Sequence, residues 1–317
     1  MADYAHGKSK KLVRGRKGTR MLAQQVINGI VTGSVYALFA LGFTLVFGVM
    51  NILNLAHGAL FMWGAFVGLY CVTSLGLPLL AASLVAAVFT GLLSVVLDWL
   101  AFRPLRRRGS SEFSAIISSI GAAFILTNIA QRVSETRILR YPFGTFPIEV
   151  IRIFGLRITL LQLTIVVTSL MLLGLLMLYL HRTPFGQRIR AVAIDERAAG
   201  LLGVSPDSVY FQTFFISGAL AGVAGVLIGL AFNSVHFLMG EPYMLRAFVV
   251  VVLGGLGSIA GAVLAGLSLG VLQTLTVVYL SSGLSDAIIF SVLFLVLLLR
   301  PTGFFGTLQQ QKRVARE

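Results

Sequence analysis

Residues 22–48 read LAQQVINGIVTGSVYALFALGFTLVFG, a run of twenty-seven positions without one charged side chain. A helix needs about 20 mostly apolar residues to cross the hydrocarbon core of a bilayer, so this run is long enough to span. Working outward, similar runs lie at roughly 58–75, 77–101, 113–131, 159–180, 210–232, 247–280 and 286–300. About eight hydrophobic segments predict an all-α polytopic membrane protein, because lipid offers no partner to an open sheet edge. Composition agrees. Of 317 residues, 57% are hydrophobic and 11% charged, against about 25% charged in soluble domains. Mean hydropathy is +0.93, which excludes an ordinary soluble enzyme or a disordered chain. The single Cys71 lies inside an apolar run, so neither a disulfide framework nor a cysteine metal site is available.

The net charge of +14 is gathered at the edges of the apolar runs. Residues 1–20 hold seven Lys and Arg, and Arg103, Arg106, Arg107 and Arg108 follow the third run. Arg182, Arg188, Arg190 and Arg197 follow the fifth, and Lys312, Arg313 and Arg316 close the sequence. This is positive-inside patterning. Aromatic residues are not interleaved with the basic ones, so no nucleic-acid partner is expected. Three parts follow: a basic N-terminal extension (1–20), a transmembrane body (21–306) with a charged loop at 181–208, and a polar tail (307–317). No cleavable signal stands out. The Arg cluster at 103–108 and the loop at 181–208 lie two crossings apart and share one side. The C-terminus joins them most simply if 247–280 re-enters without adding a full crossing. The Arg-bearing loop 132–157 then faces the other side, and the side of the N-terminus stays open.

Two runs are interrupted. The first passes into Asn51-Ile52-Leu53-Asn54-Leu55-Ala56-His57-Gly58, whose spacing of three sets Asn51, Asn54 and His57 near one helical face. Buried amides there must find partners. Such a face either lines a path for a polar solute or caps a broken helix; the two readings are compatible. The run 247–280 is broken at Gly254-Gly255-Leu256-Gly257-Ser258. A half-helix ending in mid-membrane there would offer backbone amides to a zwitterionic or anionic substrate, unless the break is a tight turn between packed helices. Gly254, Gly255 and Ser258 therefore join Asn51, Asn54 and His57 as candidate pathway residues. Small-xxx-small pairs such as Gly29/Gly33, Gly218/Gly222 and Gly266/Gly270 predict closely packed helices.

No Walker A motif and no H-E-x-x-H occurs, and four His with one Cys form no metal set, so neither cofactor nor catalytic residue is expected. Carboxylates inside the spans are scarce, with Asp98 ending one and Asp286 starting another. Uphill transport would then draw on a partner. The loop after the fifth span supports this. Residues 187–202 mix Ala and Leu with both charge signs and lack Pro, which predicts a short helix lying on lipid or docked in a partner's groove.

Four stretches carry a family resemblance. Asn28-Gly29-Ile30, Gly33-Ser34-Val35-Tyr36-Ala37-Leu38, Gly42 to Gly48 and Asn54-Leu55-Ala56-His57-Gly58 resemble the opening of branched-chain amino-acid ABC transporter permeases. Arg182-Thr183-Pro184-Phe185-Gly186, Arg190-Ala191-Val192 and Ala198-Ala199 with Leu202-Gly203-Val204 resemble that family's coupling loop. Leu253 to Ser258 with Gly261, and Arg300-Pro301-Thr302-Gly303-Phe304-Phe305-Gly306, resemble its later segments. The resemblance implies a type II importer-like bundle in the bacterial inner membrane. It also implies a second permease, identical or similar, two cytoplasmic ATPase subunits and a periplasmic solute-binding protein. Arg190, Glu196, Arg197, Ala198, Ala199 and Gly203 would make the ATPase contact. Here Arg197 stands where the general importer loop has Glu, with Glu196 one position earlier. Related permeases carry urea or amides, so those substrates stay open, as does a passive channel for a small polar solute. Asn54-Leu55-Ala56 resembles the Asn-Pro-Ala turn of aquaglyceroporin-type channels, but that reading demands a second turn that the sequence near 233 or 254 does not display.

Overall fold

The computed structural model of the chain describes residues 2–147, 149–153 and 155–305, with side chains from residue 20 onward except at 153. The expected tail 307–317 lies outside the described residues. The chain is an all-α polytopic membrane protein. Helix α1 runs Ala2–Met50 and continues through the basic extension. The other helices are α2 (His57–Thr73), α3 (Leu79–Leu97), α4 (Arg103–Arg107), α5 (Glu112–Val133), α6 (Leu160–Arg182), α7 (Pro184–Ile194), α8 (Glu196–Leu201), α9 (Pro206–Ala231), α10 (Gly240–Gly254), α11 (Ile259–Tyr279) and α12 (Ser285–Leu299). Seven are long and apolar enough to cross a bilayer, and α2 is a shorter apolar helix. Strands Val150–Ile153 and Leu156–Thr159 form an antiparallel hairpin in the loop before α6.

The central helices are α1 and α9, buried along most of their length, while α3, α5, α6, α11 and α12 turn apolar faces outward. Outward Leu84, Phe124, Met171 and Leu298 are each more than half exposed, which suits contact with lipid chains. Close packing rests on glycine. A Cβ on Gly29 would meet Val271 Cα at 2.6 Å, and one on Gly33 would meet Leu267 Cα at 2.8 Å. The backbones of α1 and α11 therefore touch, as small residues permit in lipid. On the other side Gly222 of α9 faces Gly64 of α2 and Thr90 of α3.

These contacts describe an inverted repeat. Helix α1 packs mainly on α11, and α9 packs mainly on α3. Both α1 and α9 end at an Asn in the left-handed region, Asn51 (φ 53°) and Asn233 (φ 44°). A non-helical stretch follows each, then a short helix, α2 or α10, and these two meet where the Gly240 position faces the Gly58 carbonyl. The first unit (α1, α2, α3, α5) and the second (α9, α10, α11, α12) run in opposite senses. Met50 and Asn51 share a cavity with Val192–Arg197 and Tyr210, so α1 ends where α9 begins. That arrangement is the inverted-topology repeat of many transporters.

The same contacts place the termini. Gln24, where the basic extension gives way to the apolar part of α1, hydrogen-bonds the Arg157 backbone in the hairpin, so that boundary lies at the hairpin end of the bundle. The α7–α8 end carries the Arg103–Arg107 cluster, tied to α9 by Arg103–Asp207 at 2.7 Å. The run 247–280 is two helices, α10 and α11. Its Gly254–Ser258 break lies at the α7–α8 end, where Gly257 touches Gly48 near the end of α1. α10 starts earlier than the apolar run, at Gly240, and its fifteen residues are too few to cross, whereas α11 is long and apolar enough to do so. The third span also runs further than its apolar stretch. Pro104 supplies no N–H, and the chain answers with a π turn over Asp98–Phe102 before α4.

Candidate functional site

Asn51, Asn54 and His57 do not share a helical face, because residues 51–56 are not helical. Asn51 is exposed and lines the cavity beneath α7 and α8. Asn54 Oδ1 accepts from the Ala56 amide at 3.1 Å, a local side-chain turn just before α2. Its Nδ2 is buried with no partner among the described residues. His57 is fully buried: Nε2 lies 3.2 Å from the Phe39 carbonyl, Nδ1 lies 3.4 Å from Ser217 Oγ, and the ring stacks on Phe39. Leu55 N donates to Ser119 Oγ at 3.1 Å, fixing the break to α5. The structure therefore brings Asn54 and His57 together in the turn that starts α2, with Asn51 apart from them.

Gly254 ends α10, packed on Gly261 of α11. Gly255 turns the chain with φ 95°, a conformation a Cβ disfavours. Ser258 caps α11 by accepting from Gly261 N at 3.2 Å. This is a tight turn at one end of the bundle. The interruption in the second half is instead residues 232–239, after α9, where Tyr141 N donates to Asn233 Oδ1 at 2.8 Å and Leu139 bridges to Val235. Sequence reading missed it because Asn233-Ser234-Val235-His236 resembles the first break only in Asn, His and the later Gly240.

The loop after α6 is two helices and not the single helix expected over 187–202. Asp195 adopts an extended conformation, and its carboxylate accepts from Ala198 N at 2.9 Å to cap α8. Thr183 caps α7 in the same way through Gly186 N. Arg190, Glu196, Arg197, Ala198 and Gly203 are exposed, whereas Ala199 is buried against the bundle. Exposed Ile194, Leu201 and Leu202 give this appendage an apolar outer surface.

Two ionisable residues in the second half were not singled out, because the span was read as beginning at 247. Arg246 of α10 donates to Asp286 at 3.0 Å and to the Tyr36 hydroxyl at 3.1 Å, and Tyr36 donates on to Gln273. This network binds α1, α10, α11 and α12. Asp98 is likewise paired, with Arg106 at 2.6 Å. Glu241, in the first turn of α10, is different: it is exposed, has no ion pair among the described residues, and borders a cavity of about 300 Å³ between α2, α5 and α10. Apolar Leu55, Met62, Ile120, Phe124 and Met244 line that cavity. The signal was available in Gly240-Glu241-Pro242, an acidic residue interrupting an apolar context.

Seven helices long and apolar enough to cross a bilayer, with non-helical stretches after α1 and α9, define a multi-pass membrane protein. The comparison with known sequences makes this specific. Residues 25–298 match the family described as branched-chain amino acid transport system / permease component, and the chain belongs to that family. It is 35% identical over 300 residues to the high-affinity branched-chain amino acid transport system permease protein LivH of Salmonella typhimurium, covering 91% of this chain and 97% of that protein. BraD of Pseudomonas aeruginosa, described in the same words, is 34% identical with the same coverage. A probable LivH of Methanocaldococcus jannaschii is 28% identical over 310 residues, 93% of this chain and 95% of that protein. No solved structure matches.

Proposed function

We propose that the chain is the permease subunit of an ATP-binding-cassette importer for branched-chain amino acids in the bacterial inner membrane. It pairs with a second permease, two ATPase subunits and a periplasmic binding protein. The observation that carries this reading is the α7–α8 appendage on a chain of this family. Two capped helices, charged and partly apolar, project from the bundle end, while the chain has no nucleotide-binding motif of its own. That end is the cytoplasmic one, rich in Arg, and the hairpin end faces the binding protein. ATP-driven closure of the ATPases would move α7 and α8 and switch the bundle between outward- and inward-open states. The chain then performs no chemistry itself and needs no cofactor.

Reconstitution tests this. Vesicles holding the copurified complex are loaded with ATP on the ATPase side and given L-leucine with binding protein outside. Leucine should accumulate only when ATP and binding protein are both present. Copurification without any ATPase, or rapid leucine flux through the permease alone, would replace this reading with the channel.

A further inference from the structure

A carboxylate at mid-depth needs a reason. The depth follows from α1: Gly42 packs beside His57 and lies eight residues before Met50, so the start of α2 sits about 12 Å inside the α7–α8 end. Gly240 faces Gly58, and Glu241 is the next residue, close to the middle of a core about 30 Å thick. The surrounding surface is apolar, with Phe124 and Leu245 more than half exposed beside it. An acidic side chain held at the bilayer midplane costs about 2.5–3.5 kcal/mol. Its favourable interaction with the first turn of its own helix returns only about 0.3–1 kcal/mol. Helix capping therefore does not account for Glu241. Asp98 and Asp286, carboxylates at the ends of two other spans, each have an arginine.

The neighbourhood is also specific. The cavity of about 300 Å³ is walled by Leu55, Met62, Ile120, Phe124 and Met244, with Glu241 as its one charged side chain. A half-open apolar recess with a single anionic group fits a small solute that joins a bulky aliphatic side chain to an ammonium group. The joint between the repeats, at Gly58 and Gly240, forms one wall, so the cavity lies where the two halves meet.

We infer that this cavity is a substrate subsite of the translocation path, in which the Glu241 carboxylate holds the α-ammonium group of a branched-chain amino acid while the apolar wall accepts its side chain. The inference rests on the importer reading and assigns a specificity residue within it. Neutralising Glu241 removes a charge-assisted hydrogen bond to the passing solute, which corresponds to roughly a tenfold to hundredfold loss.

The test uses the whole reconstituted complex with Glu241→Gln, Glu241→Asp and the unsubstituted chain, reading leucine uptake and binding-protein-stimulated ATP hydrolysis together. Glu241→Gln should assemble and hydrolyse ATP normally, yet move at least tenfold less leucine per ATP, with Glu241→Asp recovering part of the loss. Unchanged leucine per ATP in Glu241→Gln overturns the inference. So does loss of the partner permease from the purified Glu241→Gln complex, which would make Glu241 an assembly contact. An unsubstituted complex that shows no ATP-dependent uptake would instead overturn the importer reading.

Discussion

Alanine at Gly33 and alanine at Gly121 or Gly174 should change stability in opposite directions. All three glycines lie inside helices, yet their surroundings differ. A Cβ on Gly33 would meet Leu267 Cα at 2.8 Å, with the Gly266 and Leu267 carbonyls at 2.9 Å. Ordinary contact begins at 3.4 Å, so α11 must retreat by about 0.6 Å, and because those atoms are backbone no rotamer change relieves them. Overpacking of this kind costs about 1–3 kcal/mol, against about 0.5–1 kcal/mol gained from replacing glycine in a helix. The net expectation for Gly33→Ala is a loss of about 1–2 kcal/mol. At Gly121 and Gly174 nothing lies within 4 Å, so only the gain remains. Thermal unfolding of the purified chain in detergent reads the difference. A shift of roughly 2 °C per kcal/mol is expected for a long chain. A Gly33→Ala protein that melts at or above the unsubstituted temperature would refute the backbone contact between α1 and α11.

The docking appendage gives a paired test. Ala198→Arg, on the exposed face of α8, should leave the fold intact and lower binding-protein-stimulated ATP hydrolysis severalfold, whereas Ala199→Arg, only 3% exposed, should reduce folded yield by forcing a charge into the bundle. In the Arg246 network, Arg246→Met removes two charged hydrogen bonds and should destabilise by about 2–3 kcal/mol. Asp286→Asn should change melting little, since the Asp286 side chain is 61% exposed and such pairs contribute about 0–1 kcal/mol. Gly255→Val places a β-branched residue at φ 95° and should cost about 1–3 kcal/mol in stability; an unchanged melting temperature would refute the strained turn.

Spans and their order were legible because hydrophobic length is decided locally: residues 22–48 read the same in any context. The capped start of α11 was visible in Gly257-Ser258, and the appendage in the charged loop. Residues whose roles depend on partners far along the chain were harder to read. Ala198 and Ala199 are adjacent and chemically identical, yet one faces water and the other the bundle. The break at 232–239 contains no glycine and no motif, since its backbone is fixed by Tyr141 and Leu139, some ninety residues away. The spacing of Asn51, Asn54 and His57 misled for a related reason. A period of three means a shared face only on a helix, and Asn51 leaves the helix with φ 53°. Glu241 fell outside a span whose start was set by the last strong polar residues before a pure apolar run.

The inverted repeat joins these pieces into a mechanical argument. Helix α7 packs against both α1 and α9, and α8 packs against α9, so the appendage rests on the two central helices and on the same end of each unit. Buried Ile189 and Val192 make that seat apolar and close-packed, which lets it pass on force. Because the units run in opposite senses, the appendage grips the end of α1 but the beginning of α9. The break at 51–56 therefore follows directly from the gripped end of α1, whereas the break at 232–239 lies a full helix away. In the importer reading, a push on α7 and α8 acts first on the α2 side of the Gly58–Gly240 joint and leaves the α10 side, with Glu241, held by Tyr141 and the Arg246 network. One wall of the cavity then moves while the carboxylate stays, so a solute can be held by its ammonium group while its exit changes sides.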